Sequence, residues 1–296
     1  MDYYESIKEK LLQSEIYDRA KDYSKDTNKV IVYFEIGKLL SQAGKEYGKN
    51  IIKQYSEKLI MEVGKKYNER NLRYMRRFYE VFKDSIWNPL GSKLTWTNIR
   101  ITLSLESIGA IKYYIDISKK YNLSKRQLEA RIKSKEYERL PDNTKNKIVK
   151  SQELDIKDSI PNPIIIKNNL LNEKLSEYAL QQLILNNLDE FLLQLGNGFS
   201  YVGNEYKIKI GNIYNYIDLL LYNIEFNCYV VVELKVTELK KEHIGQIEVY
   251  MNYIDNNLRK TNQDKTIGII ITKKDNKYII EYSSDERILS RVYELV

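Results

Sequence analysis

Residues 214–235 read YNYIDLLLYNIEFNCYVVVELK, a pattern that predicts two strands joined by a turn at Asn223–Asn227. Successive side chains of a strand lie on opposite faces. The first strand should therefore present Tyr216, Asp218 and Leu220 on one face and Ile217, Leu219 and Leu221 on the other. The second strand should group Tyr229, Val231, Glu233 and Lys235 on one face. Pairing the strands around the turn places Asp218 about opposite Glu233.

Two carboxylates and a lysine would then converge at one edge of an apolar hairpin. A buried charge is costly unless it is paired or bound to a metal, so this cluster requires an explanation. Oxygen ligands suit Mg²⁺ or Mn²⁺. The alternative is a strand-edge salt bridge that links Lys235 to Asp218 and Glu233 without any ligand.

The composition is that of a globular protein. The 296 residues suffice for one large or two ordinary domains. No run of eighteen apolar residues is present, and the charged N-terminus lacks the apolar core of a signal peptide, so no membrane association is expected. The single cysteine, Cys228, can form no internal disulfide, which indicates a reducing, cytoplasmic setting. One cysteine and one histidine also exclude a Cys/His zinc site.

Charge is distributed unevenly along the chain. Residues 1–150 contain 32 Lys and Arg against 20 Asp and Glu, whereas residues 151–296 contain 16 against 21. A basic N-terminal half could hold a polyanion for a chemically active C-terminal half. The alternative is that the lysines only solvate helix surfaces.

Residues 1–140 are predicted to form a helical, basic domain that binds nucleic acid. The tetrapeptide Lys-Lys-Tyr-Asn occurs at 65–68 and again at 119–122, each time ahead of a basic helix. Asn68 is a plausible N-cap for a helix over Glu69–Phe82, and a second helix begins near Ser124. A helix, a turn and a basic helix resemble helix-turn-helix organisation. The candidate nucleic-acid contacts are Arg70, Arg73, Arg76, Arg77, Lys125, Arg126 and Arg131. The repeat could also be a coincidence, and basic surface helices are common without any ligand.

A linker is predicted over residues 141–165, because three of the four prolines lie there among polar residues. Residues 166–296 then alternate helical and strand patterns, which predicts an α/β domain with a mixed central sheet flanked by helices. The expected elements are a helix at Leu175–Leu195, strands at Ser200–Gly203 and Tyr206–Ile210, the hairpin, a helix at Ile244–Leu258, and strands at Thr266–Thr272 and Lys277–Tyr282. Gln246 and Tyr250 share one face of the later helix.

Asp218, Glu233 and Lys235 give the pattern D-x14-E-x-K, which is weak alone but is supported by the elements around it. In that context the chain resembles the PD-(D/E)XK nuclease superfamily, and more narrowly its YhcG-type branch. The segments that carry the resemblance are FLLQLGNGFSYVG, YIDLLLY, YVVVELK and GQIEVY, with EIGK, NLRYMRRFY, LTWT and EYERL upstream. The resemblance implies a restriction-endonuclease-like fold for the C-terminal domain.

The resemblance also implies metal-dependent hydrolysis of phosphodiester bonds. Asp218 and Glu233 would hold Mg²⁺, or Mn²⁺, together with the backbone carbonyl of Leu234, and Glu190 matches an acidic position on the preceding helix that could add a ligand. Lys235 would orient the attacking water or stabilise the transition state. Gln246 and Tyr250 would support the site or touch the substrate. Glu205 departs from the family pattern, where glutamine or another neutral residue is expected.

The function expected from the sequence is a metal-dependent DNA endonuclease in genome defence or DNA processing. Its partner is expected to be nucleic acid, most simply DNA, and a homodimer would supply the two active sites that cutting both strands commonly needs. The alternative is a catalytically inactive nucleic-acid-binding or assembly protein that retains the nuclease fold. The presence together of Asp218, Glu233 and Lys235 counts against that alternative.

Overall fold

A computed structural model describes residues 2–19, 25–48, 50–84, 94–168, 175–283 and 285–296. The chain divides into two compact units, residues 1–135 and residues 136–296. Within the described residues, no helix is long and apolar enough to cross a membrane.

The first unit is helical throughout its described residues. Its helices are α1 (Tyr3–Arg19), α2 (Lys25–Tyr47), α3 (Ile51–Glu62), α4 (Glu69–Phe82), α5 (Trp96–Thr102), α6 (Ile108–Tyr121) and α7 (Lys125–Lys133), with a 3₁₀ turn at Lys65–Tyr67. Helices α1 to α6 share one apolar cluster that includes Ile7, Ile36, Leu59, Met75 and Ile111. The helical prediction for this region is confirmed for these residues.

Helices α2 and α4 cross closely at Gly37. A Cβ atom at this position would lie 2.1 Å from the backbone oxygen of Met75, so only glycine permits the approach. Trp96 is buried in the same core and packs edge-on against Tyr33 and Phe78. This aromatic cluster fixes α4 and α5 in the core of the unit.

The second unit is built around a mixed six-stranded sheet. Its elements are α8 (Asp142–Val149), α9 (Ile156–Ser159), β1 (Ile164–Ile166), α10 (Glu177–Asn186), α11 (Leu188–Leu195), β2 (Phe199–Ile210), β3 (Ile213–Asn223), β4 (Cys228–Glu238), α12 (Lys241–Asn257), β5 (Ile267–Lys274), α13 (Lys277–Glu281) and β6 (Ile288–Leu295). The strand order is β1-β6-β5-β4-β3-β2. Adjacent strands are parallel from β1 through β6 and β5 to β4, and antiparallel from β4 through β3 to β2. The predicted mixed sheet flanked by helices is confirmed.

Each face of the sheet is covered by helices. On one face, α10 and α11 share an apolar cluster with Leu219, Val232 and Ile271. On the other face, α12 shares a cluster with Leu220, Val231 and Ile270. Strand β4 is apolar on both faces, as is typical of a strand at the centre of a sheet. Charged residues inside such a strand therefore need specific partners.

Several sequence expectations are wrong in the second unit, and the two short strands expected at Ser200–Gly203 and Tyr206–Ile210 form one strand, β2. Residues 141–165 are not an unstructured linker: they contain α8, α9 and β1, and Asp158 is buried, where it accepts from Thr144 and pairs with Lys147. Short helices of this kind lack the long periodicity that reveals a helix in sequence. The predicted helix over 175–195 is divided at Asn187, and the segment predicted as a strand over Lys277–Tyr282 contains α13.

Candidate active site

Asp218 lies where strands β3 and β4 cease to pair. The backbone pairing of the two strands runs from Asn223 opposite Cys228 to Leu219 opposite Val232, and one further step places Asp218 opposite Glu233. The geometry therefore agrees with the register expected from the sequence. One Asp218 carboxylate oxygen accepts a hydrogen bond of 2.7 Å from the backbone N–H of Leu234. A side chain of β3 thus holds the backbone of β4 in place beside Glu233.

Strand alternation is interrupted at Asp218. Ile217 packs in the same apolar cluster as Leu220, on the α12 side of the sheet, whereas Leu219 and Leu221 pack on the α10 side. The expectation that Ile217 shares a face with Leu219 and Leu221 is therefore wrong. A flat, regular strand would place Ile217 and Leu220 on opposite faces, so the hairpin is distorted here, where Glu205 on β2 has a φ of +44°. This distortion coincides with the end of the pairing between β3 and β4.

Glu233 is almost completely buried, with 1% of its surface exposed. One carboxylate oxygen accepts from the Lys235 ammonium at 3.4 Å and from the Gln246 side-chain amide at 3.2 Å. The other oxygen, Oε1, is buried and accepts no hydrogen bond from any of the described residues. A buried polar atom without a hydrogen-bond partner costs about 1–3 kcal/mol of folding free energy, and more if it is charged. This oxygen is therefore a candidate for binding a cation.

Burial and like charge disfavour ionisation of both carboxylates. Burial, followed by the Asp218 charge, raises the pKa of Glu233 to about 8. Burial also raises the pKa of Asp218, and the charges of Glu177 and Glu205 raise it further, against the hydrogen bond from Leu234 and the charge of Lys235. Two like charges forced together in a poorly solvated site are stabilised by a cation. The electrostatics of the pair therefore favour a bound positive ion.

Lys235 lies between the two carboxylates of the sheet and one from α10. Burial by itself lowers the pKa of its ammonium, but the charges of Glu233, Glu177 and Asp218 and the Glu233 hydrogen bond outweigh burial and raise it. Its ammonium lies 3.5 Å from the Glu177 carboxylate. Lys235 therefore remains a cation at neutral pH.

Helix α12 supplies a second layer of contacts. The Gln246 amide nitrogen donates to Glu233 and also to the Tyr250 hydroxyl, at 3.2 Å in each case. Tyr250 is buried among the apolar residues of α12 and the sheet. The two residues that the sequence placed on one helix face therefore lie together and contact Glu233 through the glutamine.

Helix α10 contributes two residues that the sequence reasoning missed. Glu177, in its first turn, pairs with Lys235, and Gln181 donates from its buried amide to the Asp218 backbone carbonyl at 3.0 Å. The two residues are four apart and so share one helix face. The four-residue spacing of Glu177 and Gln181, on a helix just ahead of the strands, was the signal in the sequence that could have identified them. Glu177 therefore positions the Lys235 ammonium, and Gln181 positions the strand that bears Asp218.

Glu190 does not join this cluster. It lies on α11, and its carboxylate pairs with Lys167, which directly follows β1. Strand β1 is separated from β4 by β6 and β5, which is about 14 Å across the sheet, so Lys167 leaves the sheet well away from the strand that bears Glu233. The helix boundary at Asn187 places Glu177, rather than Glu190, at the site.

The donor set suits a hard divalent ion. Among the described residues no three acidic, histidine or cysteine side chains are grouped so that they could hold a metal ion. Mg²⁺, however, usually takes one or two carboxylates and completes its shell with water and phosphate oxygens. Asp218, the unpartnered Oε1 of Glu233 and the backbone carbonyl of Leu234 are the residues that would hold it.

The arginines predicted to form a ridge on α4 have different environments. Arg70 and Arg73 are exposed, and Arg73 pairs with Glu69. Arg76 and Arg77 are half-buried: Arg76 pairs with Glu80, and Arg77 donates to the backbone carbonyl of Leu105 at 2.6 Å. Arg77 therefore has a structural partner within the unit. The predicted Asn68 cap is present, since its side chain accepts from the Asn71 N–H.

Arg70 borders a recess of about 440 Å³ together with Lys66 and Arg100. The other residues that line it are Asn68, Asn71, Tyr74, Ile101 and Ser104. Lys66 also pairs with Glu15, whereas none of the residues lining the recess is acidic. Arg100 is a basic residue of this surface that the sequence reasoning missed.

The candidate contacts of the second basic helix lie on α7. Its Ser124 cap forms a reciprocal capping box with Gln127, as the predicted start requires. Lys125 pairs with Glu129, Arg126 is exposed, and Arg131 is half-buried over the Tyr121 ring. The repeated tetrapeptide has two different roles: Asn68 begins α4, but Asn122 ends α6 in the left-handed conformation. The repeat is therefore not a repeated structural unit.

Comparison with known proteins gives matches to both parts of the chain. Residues 157–293 match the YhcG PDDEXK nuclease domain, and residues 12–139 match the DUF1016 N-terminal domain. The chain is 26% identical over 278 residues to YhcG of Escherichia coli (strain K12), a protein provisionally named a nuclease. The aligned region covers 81% of this chain and 73% of that protein.

Two solved structures show a distant likeness. One is a repair endonuclease from Pyrococcus abyssi, with 16% identity over 43% of this chain and 49% of that chain. The other is a complex of EndoMS with double-stranded DNA, with 19% identity over 44% of this chain and 48% of that chain. The chain thus spans about half the length of each, and at TM-scores of 0.29 neither informs the function of this chain.

The two family matches together account for most of the chain and agree with the motifs around Asp218 and Glu233. The C-terminal part of this protein belongs to the YhcG-type branch of the PD-(D/E)XK nuclease superfamily, and a DUF1016 N-terminal domain precedes it.

Proposed function

We propose that this protein is a metal-dependent DNA endonuclease whose active site is formed by Asp218, Glu233 and Lys235. The observation that carries the proposal is the buried, unpartnered Oε1 of Glu233 beside Asp218 and a lysine. A salt bridge alone would leave that oxygen unsatisfied, because Lys235 and Gln246 both contact the other oxygen. A divalent ion satisfies it and neutralises the two carboxylates.

The residues of the site have distinct roles in this proposal. A bound Mg²⁺ or Mn²⁺ would lower the pKa of a coordinated water and offset charge on the phosphate. Asp218 and Glu233 hold the ion, and Lys235 orients the attacking water or stabilises the transition state. Gln246 fixes the Glu233 carboxylate, Tyr250 fixes Gln246, and Gln181 fixes the Asp218 backbone. Glu177 positions the Lys235 ammonium.

The first unit is proposed to bind DNA through its exposed basic residues. Arg70, Arg73, Lys125 and Arg126 are exposed, so they are available to phosphates. The helix–turn–helix sequence of elements is consistent with this role. In the cell we place the enzyme in the cytoplasm, in genome defence or DNA processing, with a homodimer as the assembly that cuts both strands.

The test is cleavage of supercoiled plasmid and linear duplex DNA by the full chain, with Mg²⁺ or Mn²⁺ and with EDTA. Asp218→Asn and Glu233→Gln preserve shape but remove one charge each, and both are expected to abolish metal-dependent cleavage. The matched control is Asp264→Asn, which removes an exposed carboxylate from the loop before β5. Full cleavage by both site variants would refute the assigned site. DNA binding without cleavage by the wild type would instead support an inactive binding protein.

A further inference from the structure

The hairpin of β2 and β3 extends beyond the rest of the sheet, beginning at the candidate site. Strand β3 pairs with β4 only from Leu219 onward, whereas its pairing with β2 continues to Ile213 opposite Ile210. Residues 206–217 therefore form a two-stranded ribbon that starts next to Asp218. Gly211, in the left-handed region, forms the turn at its tip.

The two faces of this ribbon differ in chemistry. Its back face packs through Ile208 and Ile217 into the apolar cluster that contains α12. Its front face carries four exposed side chains in two directly opposed pairs, namely Lys207 opposite Tyr216 and Lys209 opposite Tyr214. Both tyrosines are about half exposed, at 52% each. We refer to these four residues as the Lys/Tyr face.

The lysines of this face are held by an aromatic ring. The Lys207 ammonium lies 3.9 Å from the centre of the Tyr214 ring, and the Lys209 ammonium lies 5.7 Å from it. Neither lysine forms an ion pair with a carboxylate in the described part of the chain. A ring orients an ammonium without neutralising it. The ribbon thus presents two oriented, uncompensated positive charges to solvent.

The position of this face relates it to the reaction. Tyr216 precedes Asp218 by two residues, a distance of about 7 Å along a strand. We propose that the Lys/Tyr face binds the phosphate backbone of duplex DNA next to the bond that is cut, through Lys207 and Lys209 oriented by Tyr214. The proposal rests on the proposed function and adds to it the surface that positions the substrate. Because phosphate contacts position DNA without reading its sequence, this face contributes affinity and register rather than base preference.

Binding can be measured separately from cleavage. The affinity of the full chain for a short fluorescent DNA duplex is determined by anisotropy in EDTA, between about 50 and 200 mM salt. Each phosphate contact contributes about 0.9 to the slope of log affinity against log salt, so Lys207→Gln/Lys209→Gln should reduce the slope by about 1.8. The matched control is Lys260→Gln/Lys265→Gln, which removes the same charge from exposed positions before β5 and should leave the slope unchanged.

The tyrosine gives a second, independent readout. Tyr214→Phe retains a ring for the ammonium groups and should bind like the wild type, whereas Tyr214→Leu should weaken binding about two- to fivefold at an unchanged slope. Thermal unfolding of each variant confirms that the exposed substitutions leave the fold intact.

The outcomes separate this proposal from the proposed function. If the wild type cuts DNA but the double-lysine variant keeps the wild-type slope, the Lys/Tyr face is not a phosphate contact and only this proposal fails. If the double-lysine variant changes the oligomeric state while its slope is retained, the face is an interface between copies of the chain, and the proposal is also overturned. If the wild type neither binds nor cuts DNA, both proposals fail.

Discussion

The Asp218 carboxylate and the backbone N–H of Leu234 are joined by a hydrogen bond of 2.7 Å across the point where β3 and β4 separate. This contact uses one oxygen of Asp218 and fixes the strand that carries Glu233 and Lys235. Leu234 itself points into the apolar cluster on the α10 side, so its neighbours on β4 are held at the opposite face. The backbone contact therefore sets the position of the carboxylate pair before any ligand binds.

Glu177 and Glu190 should differ in their effect on cleavage. Glu177→Gln removes the charge that pairs with Lys235 and should lower kcat, because the ammonium loses one of the groups that position it. Glu190→Gln breaks only an exposed pair with Lys167, which is worth about 0–1 kcal/mol, and should leave kcat close to that of the wild type. Steady-state cleavage rates at saturating metal compare the two variants. A larger decrease in kcat for Glu190→Gln than for Glu177→Gln would show that Glu190 belongs to the active site.

The pKa of Glu233, about 8 in place of the usual 4.5, makes a prediction about stability. Between these two pH values the folded protein retains a proton that the unfolded chain has released. The unfolded state thus binds fewer protons, so the free energy of unfolding should fall as the pH rises from about 5 to 8. The size of the effect is a few kcal/mol, since one pKa unit corresponds to about 1.4 kcal/mol.

Glu233→Gln should remove this dependence. Urea unfolding in EDTA at several pH values measures it, and the variant should be more stable than the wild type at pH 8 and show a flatter profile. Saturating Mg²⁺ should stabilise the wild type at pH 8 but not the variant, because metal binding requires the ionised carboxylate. Parallel pH profiles for the two proteins would show that Glu233 is already ionised in the free protein.

Much of this site could be predicted from local patterns, and the remainder depends on long-range geometry. Strand alternation placed Glu233 with Lys235, and helical spacing placed Gln246 with Tyr250, since both relations are local. Ile217 was assigned to the wrong face of the sheet. The change of face occurs where β3 and β4 separate, and the alternation within one strand does not show where its pairing ends. Glu177 was missed for a similar reason. The amphipathic pattern over residues 175–195 is continuous and does not show the break at Asn187, so Glu190 was predicted at the site instead.

The N-terminal unit shows the same limit. The sequence predicted the Asn68 and Ser124 caps, since a capping residue acts on its own helix. The identical tetrapeptides adopted different roles because the surrounding chain, and not the four residues, decides whether a helix begins or ends there. The environment of Arg77 could not be inferred, because its partner Leu105 lies 28 residues away.

Gln246 should act on metal binding through Glu233. Gln246→Ala removes the amide donor that orients the carboxylate, and groups in this supporting position typically change metal affinity or activity by 10- to 100-fold. Tyr250→Phe keeps the buried ring and removes only the hydroxyl that accepts from Gln246, so a smaller loss is expected. Mg²⁺ titrations of the cleavage rate report the apparent metal affinity. Equal losses for the two variants would show that Tyr250 has a role of its own in the reaction.

The arginines of the first unit should separate into binding and structural groups. Arg70→Gln/Arg100→Gln alters two exposed cations beside the basic recess, so it should weaken DNA binding and reduce the salt slope by about 1.8, with unfolding unchanged. Arg77→Gln instead leaves the half-buried Leu105 carbonyl without its donor and should lower the free energy of unfolding by about 1–3 kcal/mol. Anisotropy titrations and urea unfolding of each variant measure both properties. A lower salt slope for Arg77→Gln at unchanged stability would place Arg77, rather than the recess, in contact with DNA.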